Sequence, residues 1–330
     1  MLVDKNGHKT LPNILGKEFD CINKIIHKLP VGAGIGDDCA VLDIGSKSLL
    51  VSVDSFIEDV HFKMTYFKLE ELGEHCAEAS LSDIAAMGGK ALYITLSVSV
   101  PNPKLIDQLS LGIKKSLKRH KLKLIGGDTT YSKKIVISCT VIGEAKNPVY
   151  RYGAKPGDEV YISSYTGLSR AGLHVLTKKI KGFKTLRSKH LSPLARLDIS
   201  QKLSGIASSM IDISDGLVSE LYHLAHASNV DIIVNNLPIH KDLKKLETLC
   251  GIPAIDNVLF GGEDFELLYT APKISASKGS KTSLKTTIPG IKIGVVKERK
   301  AKASSSKASV YMQNKSGKLS LIKPKGYSHF

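Results

Sequence analysis

The sequence predicts a two-domain protein with an α+β first half and an α/β second half, on three observations. At 330 residues the chain exceeds one ordinary domain, so two domains sharing a cleft are the natural arrangement. Alternating strands and amphipathic helices mix as far as Ile142, and Gly143 to Arg151 reads as a linker. The Pro156-Gly157 pair then predicts a tight turn that opens a second run of strands and helices. The domains are placed at 1–148 and 149–330. A composition 42% hydrophobic and 24% charged suits a soluble globular enzyme rather than a disordered or fibrous chain.

Each element has its own signal. Residues 16–28 carry amphipathic helical spacing and lead into the loop Pro30-Val31-Gly32-Ala33-Gly34-Ile35-Gly36. Cys39 to Ile44 and Leu49 to Val53 read as strands around a Gly45-Ser46 turn. Leu69 to Gly88 reads as a helix with Leu69, Leu72, Cys76, Ser80 and Met87 on one face. At about 100° per residue, Asp83 falls within about 20° of Cys76 on that inward face. A carboxylate there is costly unless it is paired, hydrogen-bonded or metal-bound. A strand (Ala91 to Val100), a helix (Pro103 to Arg119), a short strand (Leu122 to Ile125) and a strand (Ile135 to Ile142) complete a ferredoxin-like core with additions. In the second half, strands are expected at Glu159 to Ser163, near Met210, near Ile232 and at Phe265 to Thr270. Helices are expected at Leu168 to Ile180 and Leu217 to Ala227. The Lys- and Ser-rich stretches 273–287 and 299–319 read as a loop and an exposed hairpin region.

Charge and cysteine usage narrow the function classes. The net charge of +16, from 47 basic and 31 acidic residues, favours anionic partners such as nucleotides, phosphorylated metabolites or nucleic acid. The excess lies in Lys runs with few interleaved aromatics and no Trp, which fits a solvated surface better than a base-stacking platform. Five scattered cysteines without a CxxC pair argue against a disulfide framework and a structural zinc site, and point to a reducing, cytoplasmic setting. There is no signal-peptide pattern, and no apolar run approaches the length of a membrane span.

Against this basic background stand five acidic motifs. They are Gly36-Asp37-Asp38, Ser52-Val53-Asp54, Ser82-Asp83, Gly126-Gly127-Asp128-Thr129-Thr130 and Asp212-Ile213-Ser214-Asp215-Gly216. Short carboxylates on Gly- and Ser-rich turns suit hard cations such as Mg²⁺, which keep company with substrate phosphates. Asp beside Gly or Ser also marks plain turns and helix caps. The glycines before Asp128 would let backbone amides approach an anion, and Ser214 or Asp215 would cap the following helix. Gly261-Gly262-Glu263-Asp264 repeats the glycine-pair-plus-acid pattern, with a turn as its other reading. The loop ending at Gly36 fits neither common nucleotide fingerprint, and His61 alone reads as a surface or packing histidine. No spacing indicates covalent catalysis.

These motifs resemble those of thiamine-monophosphate kinases, within the superfamily of aminoimidazole ribonucleotide synthetase. The resemblance rests on Gly34 to Ala40, Val60-His61-Phe62, Leu81 to Gly88, Leu124 to Thr130, Arg151 to Asp158, Ile211 to Leu217, Gly261 to Leu268 and Gly326 to Phe330. It implies an aminoimidazole ribonucleotide synthetase-like fold, with a homodimer formed through the N-terminal domain and a C-terminal domain closing the cleft. It also implies phosphorylation of thiamine monophosphate by ATP with several Mg²⁺ ions. Carried across, the metals fall to Asp38, Ser52, Asp54, Asp83, Asp128, Asp212 and Asp215; ATP to Gly127, Asp128, Arg151 and Ser214; and thiamine phosphate to His61, Glu263 and Tyr327. Val53 replaces the family's usual Thr, leaving only main-chain contact there, and Tyr327 replaces a frequent Trp. No general base is expected, because the acceptor is already a phosphate, largely dianionic at neutral pH. The rival class, a nucleic-acid binder driven by charge, predicts steep salt dependence and leaves the acidic motifs unexplained. A relative in the superfamily acting on another small acceptor is the alternative within enzymes.

Overall fold

The computed structural model describes residues 2–3, 9–10, 17–30, 35–273, 287–299, 308–323 and 325. A small ladder of β1 (Leu2–Val3) and β2 (Lys9–Thr10) precedes α1 (Lys17–Ile26). The first large sheet follows, from β3 (Ala40–Asp43), β4 (Ser48–Ile57), α2 (Leu69–Ala86), β5 (Lys90–Val100), α3 (Leu105–His120), β6 (Lys123–Tyr131) and β7 (Val136–Ala145). Its strand order is β3-β4-β7-β5-β6, antiparallel except for the β5–β6 pair. The α+β class stands. From β4 onward the elements succeed one another as β-α-β-α-β-β, whereas a ferredoxin-like unit runs β-α-β-β-α-β, so the likeness extends to layering and not to strand succession.

Alternation along β7 is complete, half-buried residues interleaving with buried ones, because one face packs under α2. The sequence expectation of a single inward face on α2 is too modest. Buried residues run all round it from Leu72 to Ala86, since α3 and the sheet flank it and α6 and β9 of the second half (ranges below) cover the rest. Gly73 and Gly112 make the α2–α3 approach possible. A Cβ on Gly73 would stand 2.1 Å from the Leu109 carbonyl, and one on Gly112 1.8 Å from that of Glu70. The expected short strand before Gly126 is also too short: β6 continues through Thr130 to Tyr131 along the sheet edge, every residue exposed. Gly127 is required there by packing, because a Cβ would meet the Leu96 carbonyl at 2.0 Å.

The second half comprises β8 (Glu159–Ile162), α4 (Leu168–Thr177), α5 (Lys184–Leu191), α6 (Leu197–Leu203), β9 (Ser209–Asp212), α7 (Leu217–Ser228), β10 (Asp231–Val234), α8 (Lys241–Cys250), α9 (Ala254–Phe260), β11 (Leu267–Ala271), β12 (Ile291–Lys297), β13 (Val310–Gln313) and β14 (Leu319–Leu321). Helices and strands alternate as expected, in a sheet ordered β14-β13-β10-β12-β8-β11-β9. Only β10–β13 is parallel, so this half is a mixed sheet dominated by antiparallel pairs. The Lys-rich run from Lys178 to Lys189, read as solvated, overlaps α5, which buries Leu186, His190 and Leu191. The β13–β14 hairpin lies where one was expected, although Val310 is fully buried against β10. Residues 274–286 and 300–307 lie outside the described residues. All five cysteines are free. Among the described residues no helix is long and apolar enough to cross a membrane.

The two sheets share a core. Ala85 and Ala86, at the end of α2, pack with Val149, Tyr161, Ile199, Leu203, Met210, Leu267 and Tyr269. That contact brings the last turns of α2 against the end of β9, where the acidic motifs of the two halves meet.

Candidate active site

Asp38 arrives on the turn before β3, Asp54 from β4, Asp83 from α2 and Asp212 from the last position of β9. Carboxylate oxygens of Asp38, Asp83 and Asp212 all lie within 4.8 Å of one another. At an effective dielectric of about 20, charges this close repel by at least about 3 kcal/mol per pair. Few partners offset that. Ser52 donates to Asp83, and Ser82 donates to Asp212 at 2.7 Å. Arg151 contacts Asp38 at 2.6 Å, while its own N–H donates to Asp37. One guanidinium among this many carboxylates leaves a surplus of negative charge.

The acids respond as physics requires. Burial, then the neighbouring Asp54, Asp212 and Asp38, holds the Asp83 carboxyl well above its ordinary range. Burial and Asp38 push Asp212 up to about 7, burial and Asp38 do the same to Asp37, and burial raises Asp54. A divalent cation removes this penalty, and the donor set fits one. It is all oxygen, suited to Mg²⁺, and Asp38 Oδ2 is buried with no hydrogen-bond partner among the described residues. Asp37 and Ser82 stand in the acidic motifs but receive no role from the sequence, and Glu220 is not singled out by it. Glu220 is buried and accepts the Asp215 N–H at 3.0 Å, so the anticipated Ser214 or Asp215 cap on α7 is replaced by Gly216 with Glu220 reaching back. An acid one turn into that helix was the available signal.

Other expected residues lie elsewhere. Asp128 pairs with Ser97, in the row that continues through Ser138 to Ser55, while Asp54 shares its row with Cys139, Leu96 and Gly127. Asp128 therefore faces away from α2, three strands or about 14 Å across the sheet from β4. Within one chain it does not join the cluster. Arg151, expected at ATP, is an ion-pair partner of Asp38, and Ser214 is exposed on the loop after β9. Tyr327 and Gly32 to Gly34 lie outside the described residues.

His61 and Glu263 sit at two ends of a second cluster. His61 Nδ1 accepts the Ile57 N–H at 3.0 Å, and its ring meets Phe56 edge-on. Phe56 contacts His75, His75 contacts His190, and His190 Nδ1 lies 3.4 Å from a Glu263 oxygen. Glu263 has a φ of +61° and donates its N–H to the Ser214 carbonyl at 2.7 Å. Burial, then Asp264 and Asp215, pushes its carboxyl up to about 7. The adjoining Asp264 is a structural acid, accepting the Gly167 and Ser169 N–H groups at the start of α4.

Residues 36–145 match the family model of the AIR synthase related protein, N-terminal domain. A thiamine-monophosphate kinase of Aquifex aeolicus (strain VF5) is 36% identical over 265 residues, spanning 78% of this chain and 86% of that protein. One of Bacillus subtilis (strain 168) is 34% identical over 333 residues, spanning 95% and 99%. The solved structure of AaThiL complexed with AMPPCP and TMP matches with a TM-score of 0.81 at 31% identity, over 98% of this chain and 99% of that one. With that identity over most of its length, the chain belongs to the thiamine-monophosphate kinase family of enzymes.

Proposed function

We propose that this enzyme transfers the γ-phosphoryl group of ATP directly to the phosphate of thiamine monophosphate, releasing ADP and thiamine diphosphate. The observation that carries the reading is the convergence of Asp38, Asp83 and Asp212 from both halves of the chain. Residues 1–148 and 149–330 act as two domains closing on that cleft. Asp38, Ser52, Asp54, Asp83, Asp212 and Asp215 hold several Mg²⁺ ions, which neutralise phosphate oxygens and offset the repulsion between two polyanions. Ser214 and Arg151 meet ATP, Arg151 releasing part of its hold on Asp38. His61, Glu263 and Tyr327 surround the thiamine phosphate.

The acceptor oxygen forms its bond to the γ-phosphorus in line as the bond to the ADP oxygen breaks, and no proton moves. The acceptor's second pKa of about 6 leaves it largely dianionic, so the aspartates bind and position rather than transfer protons. Purified protein with ATP, Mg²⁺ and thiamine monophosphate should form thiamine diphosphate, read by chromatography; absence of product overturns the reading. With γ-labelled ATP alone the protein stays unlabelled, and a stable label would show a covalent route.

The same reading includes a homodimer through β6. That edge strand exposes Leu124, Ile125 and Tyr131 together with backbone groups that no described strand pairs, a surface that needs cover. Asp128 and Gly127 lie on it, so their place at ATP or metal depends on the assembled dimer. Ile125→Lys should shift the mass measured by light scattering from dimer to monomer.

A further inference from the structure

The Lys-rich segment before Pro193 places one side chain that the reading above leaves unused. His190, on α5, is 1% exposed and sits among Tyr66, Phe67 and His75, with ring centroids 5.7, 5.7 and 6.2 Å away. Its carbonyl accepts from His75 Nδ1 at 2.9 Å, so the backbone at this position is held from the α2 side. Its ring Nδ1 has two neighbours, Ser169 Oγ at 3.0 Å and Glu263 Oε2 at 3.4 Å. Its Nε2 is buried without a hydrogen-bond partner among the described residues.

These contacts select a tautomer. A proton on Nε2 would be a buried donor with nothing to receive it, which costs more than an unused lone pair. With the proton on Nδ1, the N–H donates to the Ser169 hydroxyl at 3.0 Å, and the Glu263 carboxylate oxygen lies beside that bond at 3.4 Å. Among the described residues Glu263 is otherwise held through its backbone, at a φ that non-glycine residues rarely adopt. Ser169 follows Leu168, the first residue of α4, and its N–H is bound by Asp264, the residue next to Glu263. The helix start, the imidazole and the Gly261–Asp264 loop thus form one connected arrangement on one side of the Glu263 carboxylate, whose side chain stays 35% exposed.

We propose that His190 is a positioning residue for substrate recognition, its Nδ1–H, bonded to Ser169 and 3.4 Å from the Glu263 carboxylate, keeping that carboxylate in the orientation that meets thiamine monophosphate. This rests on the assignment of Glu263 to the thiamine phosphate end of the site. The polar contacts of His190 run to His75, Ser169 and Glu263 and to none of the clustered aspartates, so its effect is expected on one substrate only.

The test measures KM for each substrate separately at saturating Mg²⁺, with folding checked by Tm. His190→Phe keeps a ring and loses the donor; it should raise KM for thiamine monophosphate about three- to tenfold, the range of one net hydrogen bond. KM for ATP and kcat should stay near wild type. His190→Asn, whose amide N–H₂ occupies the Nδ1 position, should recover wild-type KM, and His190→Gln, whose amide falls nearer Nε2, should not. The His190→Phe/Glu263→Gln double variant should be no worse than Glu263→Gln alone. Additive effects, equal effects on both KM values, or Gln rescuing better than Asn would overturn the inference. If Glu263→Gln alone leaves KM for thiamine monophosphate unchanged, the assignment of Glu263 fails first. Should His190→Phe fail to fold, the Asn and Gln pair still decides.

Discussion

Glu78 and Asp83 stand five positions apart on the same helix, and they meet opposite surroundings. Glu78 is fully buried, yet Arg119, His120 at 3.0 Å and the Ala195 N–H at 2.9 Å surround it, and its carboxyl is held below its ordinary value. Burial alone would raise that carboxyl; the histidine and backbone donors outweigh it. Asp83, about 140° further round the helix, meets Asp38, Asp54 and Asp212 instead, and its carboxyl is raised. Both acids join the first half to the second, one to the segment before α6 and the other to the end of β9. Only Glu78 is complete within the folded chain. A buried acid is therefore no signature of a site by itself; the sign of its neighbours is what separates a tether from a ligand.

The comparison breaks most directly at Glu78. Glu78→Ala leaves Arg119 and His120 facing a void and should cost about 3–4 kcal/mol of unfolding free energy, while Mg²⁺ affinity stays near wild type in the fraction that folds. Calorimetric denaturation and magnesium titration read the two quantities. A stable variant with weakened metal binding would reverse the roles assigned to the two acids.

Asp83→Asn is the complementary test. A neutral isostere removes one repulsive charge, so the metal-free protein should keep or gain stability, while turnover falls at least about 100-fold. Wild-type turnover at ordinary Mg²⁺ would remove Asp83 from the metal site.

Acidity separates the two further. Asp212 and Asp37 have folded values of about 7 against 3.8 unfolded, so between about pH 4 and 7 the native state holds protons that the unfolded state has released. Without metal, their contribution to stability is lost as pH rises through that window. Glu78 runs the other way: its depressed value contributes stability that is present above 4.5 and lost below it. Buried His75, lowered to about 4, and His190, lowered to about 3, also titrate in the acid range but cancel in a difference measurement. The gap in Tm between Mg²⁺-loaded and metal-free protein should widen from pH 5 to 8, and widen less in Asp83→Asn. A constant gap would show that the carboxylates do not share a cation.

The smallest effect is expected at Ser82. Its hydroxyl donates to Asp212 at 2.7 Å, so Ser82→Ala should cost about 1 kcal/mol of stability, with Mg²⁺ affinity falling by up to about tenfold. An unchanged affinity would mean that Asp212 is oriented by its strand alone.

The local periods of the chain determined a good deal. The spacing of apolar residues places α2, β5, α3 and α7 close to their final bounds, and it puts Asp83 on an inward face without reference to any tertiary contact. The order of the acidic motifs was enough to suggest metal and phosphate, and the full set carried the family. Tertiary structure decided the rest, because charge environment belongs to neighbours distant in sequence. Nothing local distinguishes Glu78 from a solvated helix acid; Arg119 and Ala195 supply the difference from 41 and 117 positions away. Nothing local shows that β6 runs on through Gly126 to Thr130, since glycines weaken a strand pattern that pairing with β5 then restores. His190 directly follows a run of lysines that read as solvent-facing, and only the packing of α5 turns it inward beside Glu263. Periodicity is a property of a few adjacent residues, whereas the convergence of Asp38, Asp83 and Asp212 needs two sheets packed through one helix.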